Sequence, residues 1–435
     1  MTLHVAIIGS GPAGYYTAEA LTKDRDDVQV DIIDRLPTPY GLIRGGVAPD
    51  HQSIKGVYKR YEKTNLQDNV RFVGNIEIGD ALSVAELGEL YDAVVLATGA
   101  GHDRPLGIPG ADKKGVIGSA AFVGWYNAHP DFAGLDPDLD VAAVAVIGNG
   151  NVAIDVARVL AKTPDEMAVS DLARYAAERI QSSPIRDIHM FGRRGPVQAN
   201  FTPKELGELG ELKECAALVD GAQLPDAAGD DALAPVKRKN LGHLRKFAER
   251  DRAERKLGLH LTFYARPVEV LGGERVEGLR LERTTVDEAG ICHGTGETFD
   301  IACGLVIPCI GYRTQAIPGV AFDNDRGRFI NDDGLIAPGL YCTGWARRGP
   351  TGTIGTNRSD GIGVAEAVLA DVEPGGKPGR PALDRLMKER DLWPVTFRDW
   401  KKIEAAEQAA ARGAAPRRKF SSIDEMLKIL KPPAI

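Results

Sequence analysis

The chain has 435 residues, 43% of them hydrophobic, and a formal net charge of −7, so it is too long for one ordinary domain, apolar enough to fill two cores, and too acidic overall for bulk nucleic-acid binding. No run approaches the roughly 20 apolar residues that span a bilayer, and residues 1–8 read as a strand, not a signal peptide, so a cytoplasmic chain with no membrane partner is expected. Five cysteines, Cys215, Cys292, Cys303, Cys309 and Cys342, include no Cys-x-x-Cys pair, which argues against a disulfide framework, a dithiol relay and a metal site.

The first predicted element is the apolar run Leu3-His4-Val5-Ala6-Ile7-Ile8, which leads into Gly9-Ser10-Gly11-Pro12-Ala13-Gly14 and then an amphipathic helical stretch. A Gly-x-Gly-x-x-Gly spacing between a strand and a helix is the context in which the glycines bring backbone N–H groups to a pyrophosphate. The next strand, residues 28–33, ends in Asp34, twenty residues beyond Gly14. A carboxylate there accepts hydrogen bonds from a ribose, and it favours an unphosphorylated adenosine such as that of FAD over a surface aspartate that merely closes a strand. A further strand, 91–96, runs into Ala97-Thr98-Gly99, and a related one, 305–310, into Gly311. Gly/Pro-rich stretches follow both, at 101–110 and 311–319, and read as two chain crossings. The fold class expected is α/β, with two Rossmann-like dinucleotide-binding domains, the NADP domain inserted in the FAD domain. The boundaries are 1–108 and 314–435 for the FAD domain and 109–313 for the NADP domain.

Within the insert, residues 141–147 precede a second fingerprint, Gly148-Asn149-Gly150-Asn151-Val152-Ala153. A helix over 152–161 follows, then a longer helical excursion over 164–183 and a returning strand over 185–191. That strand ends in Gly192-Arg193-Arg194, the place where the first domain has Asp34. Two guanidiniums there suit a 2′-phosphate, so NADP(H) is preferred over NAD(H). Residues 221–234 read as a mobile surface loop, and 405–419 as a helix followed by an Ala/Pro/basic linker. Between them, residues 237–256 hold nine basic side chains (Lys237, Arg238, Lys239, Arg245, Lys246, Arg250, Arg252, Arg255, Lys256) against Glu249, Asp251 and Glu254. Arg245, Lys246, Arg252, Arg255 and Lys256 fall largely at helical spacings, so one helix face would steer an acidic electron carrier. A solvated amphipathic helix explains the same run.

Three longer stretches go further: Pro39-Tyr40-Gly41-Leu42-Ile43-Arg44-Gly45-Gly46-Val47-Ala48-Pro49-Asp50-His51, the segment from Gly192 through Asn200-Phe201-Thr202-Pro203-Lys204-Glu205-Leu206, and Gly344-Trp345-Ala346-Arg347-Arg348-Gly349-Pro350-Thr351-Gly352-Thr353-Ile354-Gly355-Thr356-Asn357. Together they resemble the adrenodoxin-reductase-like ferredoxin-NADP⁺ reductases. Gly344-Trp345 stands where many flavoproteins of this architecture have Gly-Asp.

The resemblance implies FAD and NADP(H) as cofactors. It places Gly9, Gly11, Ala13, Gly14, Asp34, Leu42 and Ile78 along FAD, with Trp345, Gly352, Thr353 and Ile354 near its ring system. It assigns Gly150, Asn151 and Val152 to the nicotinamide dinucleotide's pyrophosphate, Arg193 and Arg194 to its 2′-phosphate, and Glu205 with Gly352 to its nicotinamide end. His51, Glu208 and Asp155 are candidate active-site residues that position rings and manage a proton, since hydride transfer needs no base on the nicotinamide; a structural hydrogen-bonding role is the alternative for each.

The expected activity is electron transfer from NADPH, one electron at a time, to a ferredoxin, an acidic iron–sulfur protein, which would in turn supply a cytochrome P450 or other ferredoxin-dependent enzymes. Many relatives carry an arginine of the carrier-docking surface where this chain has Gly207. Two alternatives stand beside this expectation. One is a flavin-dependent NADPH oxidoreductase acting on a small molecule or quinone, and the other a nucleotide-binding regulatory subunit of a larger redox complex.

Overall fold

Near-continuous runs of Val, Ile, Leu and Ala with no polar alternation form strands buried on both faces, as parallel sheets require. In the computed structural model, which describes residues 1–253 and 255–431, these runs build two parallel sheets. The chain divides into two compact units. The first comprises Met1–His102, Asn127–Ala133 and the chain from Gly311 onward; the second comprises Asp103–Tyr126 and Gly134–Ile310. Asn127–Ala133 groups with the first unit, a return of the chain outside the two crossings expected from the sequence.

The first unit holds a seven-stranded sheet in the order Leu335–Ala337, Leu340–Cys342, Ala93–Leu96, Leu3–Ile8, Val28–Ile33, Val70–Gly74, Val395–Thr396. Its five central strands are parallel and its two edges antiparallel. Alternate side chains of Leu3–Ile8 serve opposite faces, as the two-residue strand period dictates. Leu3, Val5 and Ile7 join a cluster with Tyr15, Tyr61, Val364 and Trp400, whereas Ala6 and Ile8 join one with Leu82, Leu87, Phe329 and Leu383. On the first of these faces the helices Pro12–Thr22 and Thr356–Asp371 cross at close range. A Cβ on Gly361 would lie 2.8 Å from the Thr17 nitrogen, so only glycine permits this approach.

The second unit holds a five-stranded, all-parallel sheet in the order Leu305–Pro308, Ala143–Ile147, Asp187–Phe191, Leu257–Thr262, Cys215–Val219. A three-stranded antiparallel meander, Ala265–Leu271, Gly278–Val286 and Cys292–Ala302, adds Val270, Leu279 and Leu281 to a core shared with Ala145, Ile147 and Val306. The helical excursion expected over 164–183 is two short helices, Pro164–Met167 and Arg174–Gln181. Thr163 and Glu166 close a capping box that starts the first, and the chain between the two is non-helical. The helix expected from 405 instead spans Phe397–Ala409, started by a capping box of Thr396 and Asp399.

Candidate functional site

Each fingerprint lies at the carboxyl end of a strand whose two neighbours come from different parts of the chain. Leu3–Ile8 sits between Val28–Ile33 and Ala93–Leu96, and Ala143–Ile147 between Asp187–Phe191 and Leu305–Pro308. Such a reversal of strand order opens the crevice in which α/β sheets bind nucleotides.

In the first unit Gly9 takes φ +112°, and a Cβ there would stand 2.4 Å from the Ala97 carbonyl oxygen. A Cβ on Gly14 would stand 2.1 Å from the Gly9 oxygen, whereas one on Gly11 would meet nothing within 4 Å. The outer glycines are therefore required by packing, and the central one borders open space. The N–H groups of Gly11, Ala13 and Gly14 have no acceptor among the described residues. Orphan donors at a helix start beside an open glycine fit a pyrophosphate.

Asp34 accepts from the Ser10 N–H at 2.8 Å and the Ser10 hydroxyl at 2.5 Å, and from the Leu36 N–H at 3.0 Å on its other oxygen. These bonds hold the carboxylate to the fingerprint turn: Oδ2 accepts both Ser10 donors, and Oδ1, with the Leu36 bond alone, keeps a lone pair for a ribose hydroxyl. Tyr40 and Gly41, at φ +85° and +49°, bring the second motif against the same turn, where a Gly41 Cβ would lie 3.0 Å from the Gly11 Cα. Leu42, next in the chain, is an exposed apolar side chain. Ile78 has its side chain packed in the core beside Leu82, Val84 and Ile317, so a contact of this residue with a ligand would be made by its backbone. His51 is buried at the start of the short helix Gln52–Lys55.

The third motif converges on this place. Gly344, just beyond the strand Leu340–Cys342, stands against both Ala13 and Asn357, in the first turns of two helices. Trp345 then opens the turn Trp345–Arg348, and its indole Nε1 donates to the Thr351 carbonyl at 3.0 Å. Gly352, Thr353 and Gly355 are exposed and Ile354 half-buried, and the N–H groups of Gly352, Ile354 and Gly355 have no acceptor among the described residues. The helix beginning at Thr356 has no side-chain cap, so its positive end is free for a ligand. Thr343 Oγ1, fully buried nearby in sequence, has no hydrogen-bond partner among the described residues.

The second unit repeats the scheme. A Cβ on Gly148 would stand 2.5 Å from the Cys309 oxygen, whereas one on Gly150 would meet nothing within 4 Å. The N–H groups of Gly150, Asn151, Val152 and Ala153 lack acceptors among the described residues. Asn151 Oδ1 accepts from the Thr202 N–H at 2.8 Å, and the Asn200 N–H donates to the Asn149 carbonyl at 2.8 Å, so the arginine loop is tied to the fingerprint loop. The Arg193 carbonyl accepts from the Thr284 hydroxyl at 2.8 Å, which anchors the loop from the meander side. Neither the Arg193 nor the Arg194 guanidinium has an acidic partner among the described residues. Lys237 stands close to Arg194 and donates to the Ala199 carbonyl at 2.5 Å; burial and then the Arg194 charge hold its ammonium below its usual range. A set of cations with no counter-ion suits a phosphate dianion. Glu205, at the first turn of Pro203–Glu208, keeps a buried carboxylate oxygen without a partner among the described residues.

Asp155 and Glu208 are brought together by a residue the sequence reading passed over. Arg158, fully buried, lies 2.7 Å from Asp155 and 3.4 Å from Glu208. The signal was present as an acidic and a basic residue three apart on one helix, but nothing in one sequence tells a buried pair from a surface one.

The basic run is not the continuous positive face expected of it. The helix Pro235–Ala248 ends before Arg252, so Arg252, Arg255 and Lys256 share no helical face with Arg245 and Lys246. Arg245 binds Asp230 at 2.5 and 2.9 Å, Arg252 binds Asp187 at 3.1 Å, and Lys256 faces Glu214 at 3.8 Å. Asp230 comes from the 221–234 loop, which is thereby tied down. Lys239 and Lys246 have no ion-pair partner among the described residues, and Glu254 lies outside them. Gly207 packs towards His243, 3.0 Å from where its Cβ would be. Among the described residues no cluster of His, Cys, Asp and Glu could hold a metal ion, and no helix is long and apolar enough to cross a membrane.

The pyridine nucleotide-disulphide oxidoreductase family profile matches residues 3–189. The chain is 39% identical over 449 residues to the NADPH-ferredoxin reductase FprA of Mycobacterium tuberculosis, with 98% of each chain covered. It is 38% identical over 455 residues to the human mitochondrial NADPH:adrenodoxin oxidoreductase, covering 99% of this chain and 92% of that one. The solved structure of Mycobacterium tuberculosis FprA in complex with NADPH superposes with a TM-score of 0.94 at 38% identity, covering 99% of both chains.

Proposed function

The chain belongs to the family of the NADPH-ferredoxin and NADPH:adrenodoxin reductases, and we propose that it is a cytoplasmic FAD enzyme that takes electrons from NADPH and passes them singly to a ferredoxin-type iron–sulfur protein. The observation that carries this reading is the contrast between two otherwise equivalent cradles. One strand ends in a carboxylate held to its fingerprint turn by Ser10, and the other in Arg193 and Arg194, which have no acidic partner among the described residues. The first discriminates for an adenosine with free ribose hydroxyls, and the second for one with a 2′-phosphate.

FAD, when bound, supplies the hydride acceptor and the capacity to release electrons one at a time. The chain's residues do the rest. Gly11, Ala13 and Gly14 hold a pyrophosphate through backbone donors, and Asp34 orients the ribose. Gly352, Ile354 and Gly355 offer N–H groups to the polar edge of the ring system, beneath the positive end of Thr356–Asp371. On the nicotinamide side Gly150 to Ala153 hold the pyrophosphate, Arg193 and Arg194 the 2′-phosphate, and Glu205 offers its unpartnered oxygen to the carboxamide. Asp155 and Glu208 act through Arg158 as positioning groups, and His51 has a positioning role on the FAD side.

The acceptor is proposed to be an acidic ferredoxin drawn by Lys239 and Lys246, with a cytochrome P450 or other ferredoxin-dependent enzyme downstream. The pairing of Arg245, Arg252 and Lys256 with carboxylates favours, as a second reading, a small-molecule or quinone acceptor that needs no docking field. A stopped-flow experiment separates the two. Purified yellow protein should bleach rapidly with NADPH and slowly with NADH, and recover on mixing with a ferredoxin. Bleaching with recovery only by quinones supports the second reading, and no bleaching overturns both.

A further inference from the structure

The loop 349–355 has two carbonyls and one N–H already bound by neighbouring side chains. Trp345 Nε1 and Arg348 Nε both donate to the Thr351 carbonyl, at 3.0 and 3.1 Å. The Thr353 N–H donates to Thr356 Oγ1 at 3.1 Å, and Asn357 Nδ2 reaches the Thr353 carbonyl at 3.4 Å. With those groups fixed, the donors of Gly352, Ile354 and Gly355 are what the loop has left to offer a ligand.

Arg348 ties this arrangement together. Besides Thr351 it donates to Asn357 Oδ1 at 3.1 Å, and it forms an ion pair with Asp360. Its side chain is 18% exposed and that of Asp360 12%. A planar guanidinium can meet a carbonyl, an amide and a carboxylate at once in fixed directions; a lysine ammonium on a flexible stem cannot reproduce that fork. Asp360 lies one turn into Thr356–Asp371, where an uncompensated carboxylate would oppose the positive potential of the helix start. Burial raises the Asp360 carboxyl above its usual range and lowers the Arg348 guanidinium, so Asp360 depends for its charge chiefly on the close Arg348 pair, with Arg347 a more distant cation at 3.7 Å.

We propose that Arg348 is a positioning residue for the flavin: through Thr351 and Asn357 it sets the backbone that faces the ring system, and through Asp360 it keeps a carboxylate from repelling negative charge there. This rests on the reading above that the 349–355 loop faces FAD.

The test uses the full-length holoenzyme with R348M, R348K, D360N and the double variant R348M/D360N, reading flavin midpoint potential against a reference dye and FAD affinity by fluorescence titration of the deflavinated protein. R348M is expected to lower the potential and weaken FAD roughly tenfold, the loss of a charge-assisted hydrogen bond. D360N is expected to raise the potential. R348M/D360N should bring the potential back towards wild type while FAD affinity stays low, because the charge is balanced again but the loop is still untied. R348K, which keeps the charge without the fork, should hold the potential and lose affinity, and it serves if R348M does not fold. A flavin-loaded R348M or R348K with wild-type potential and affinity overturns the proposal alone. A wild-type protein that neither carries nor binds FAD overturns the reading beneath it.

Discussion

Gly344 lies so close to Ala13 that a Cβ on it would come within 2.5 Å of the alanine methyl, and its φ of +63° is one that side chains rarely tolerate. The end of a strand assembled late in the chain is thus fitted against the first turn of the fingerprint helix with no room for a methyl group. Gly344→Ala should cost about 1–3 kcal/mol from backbone strain alone, with further loss from the contact. Thermal unfolding should show a lower Tm, and purified protein a lower ratio of FAD absorbance to protein absorbance.

Gly11 and Gly150 should behave differently from Gly344, because an added methyl meets nothing in the protein at either position. Gly11→Ala should keep the Tm of the FAD-free protein and weaken FAD. Gly150→Ala should keep bound FAD and raise the KM for NADPH. If both variants bind their nucleotides normally, the open spaces are not cradles.

The two arginines at the end of Asp187–Phe191 give a sharper test of cofactor choice. Replacing Arg193 and Arg194 together by Ala removes charge-assisted bonds of about 1.5–3 kcal/mol each. KM for NADPH should rise at least tenfold while that for NADH changes little. An equal rise for both would remove the 2′-phosphate assignment.

Stability should fall on the acid side through two half-buried histidines, one in each unit. Burial pushes His129 and His189 down to about 4, against an ordinary value near 6.5. Between those values the unfolded chain binds more protons than the folded one, so stability is complete above pH 6.5 and declines as pH falls towards 4. Denaturant midpoints measured from pH 7 to 4 should show this slope. His129→Gln should flatten it for the first unit and His189→Phe for the second.

Charge reversal on the basic run should separate steering from structure. Lys239→Glu with Lys246→Glu should slow ferredoxin-coupled cytochrome c reduction at low salt and spare ferricyanide reduction, since these charges have no ion-pair partner among the described residues. Arg245→Glu should instead loosen the loop bearing Asp230, seen as faster proteolysis between 221 and 234. Ferredoxin coupling unmoved by the lysine pair would take this face out of the reaction.

Much of the α/β architecture was legible because glycine spacing and apolar runs are local signals. Both fingerprints, the strand before each, and the strand-end residues Asp34, Arg193 and Arg194 could be found by counting. The features that escaped are set by long-range packing. Ile78 reads as one more apolar residue, and only the folded sheet shows its side chain in the core beside Ile317. Arg158 sits on a helix whose pattern is the same whether its charge is buried or exposed. The basic run overcounts because Asp187 and Glu214, which neutralise two of its members, lie far from it in sequence. The meander over 265–302 gave no fingerprint, and its alternation is blurred by an exposed outer strand.

The seven-stranded sheet also constrains the order in which the protein can be made. Leu340–Cys342 must pair with Ala93–Leu96, and Val395–Thr396 with Val70–Gly74, so strands available early wait for partners more than 200 residues later. The five-stranded sheet needs nothing beyond Pro308. During synthesis from the N-terminus its strands are therefore all available while the flavin-side sheet still lacks its Leu340–Cys342 strand and both edge strands. A chain released before residue 335 would have all the strands of its middle sheet and exposed strand edges at its beginning, the segment a chaperone has most reason to shield.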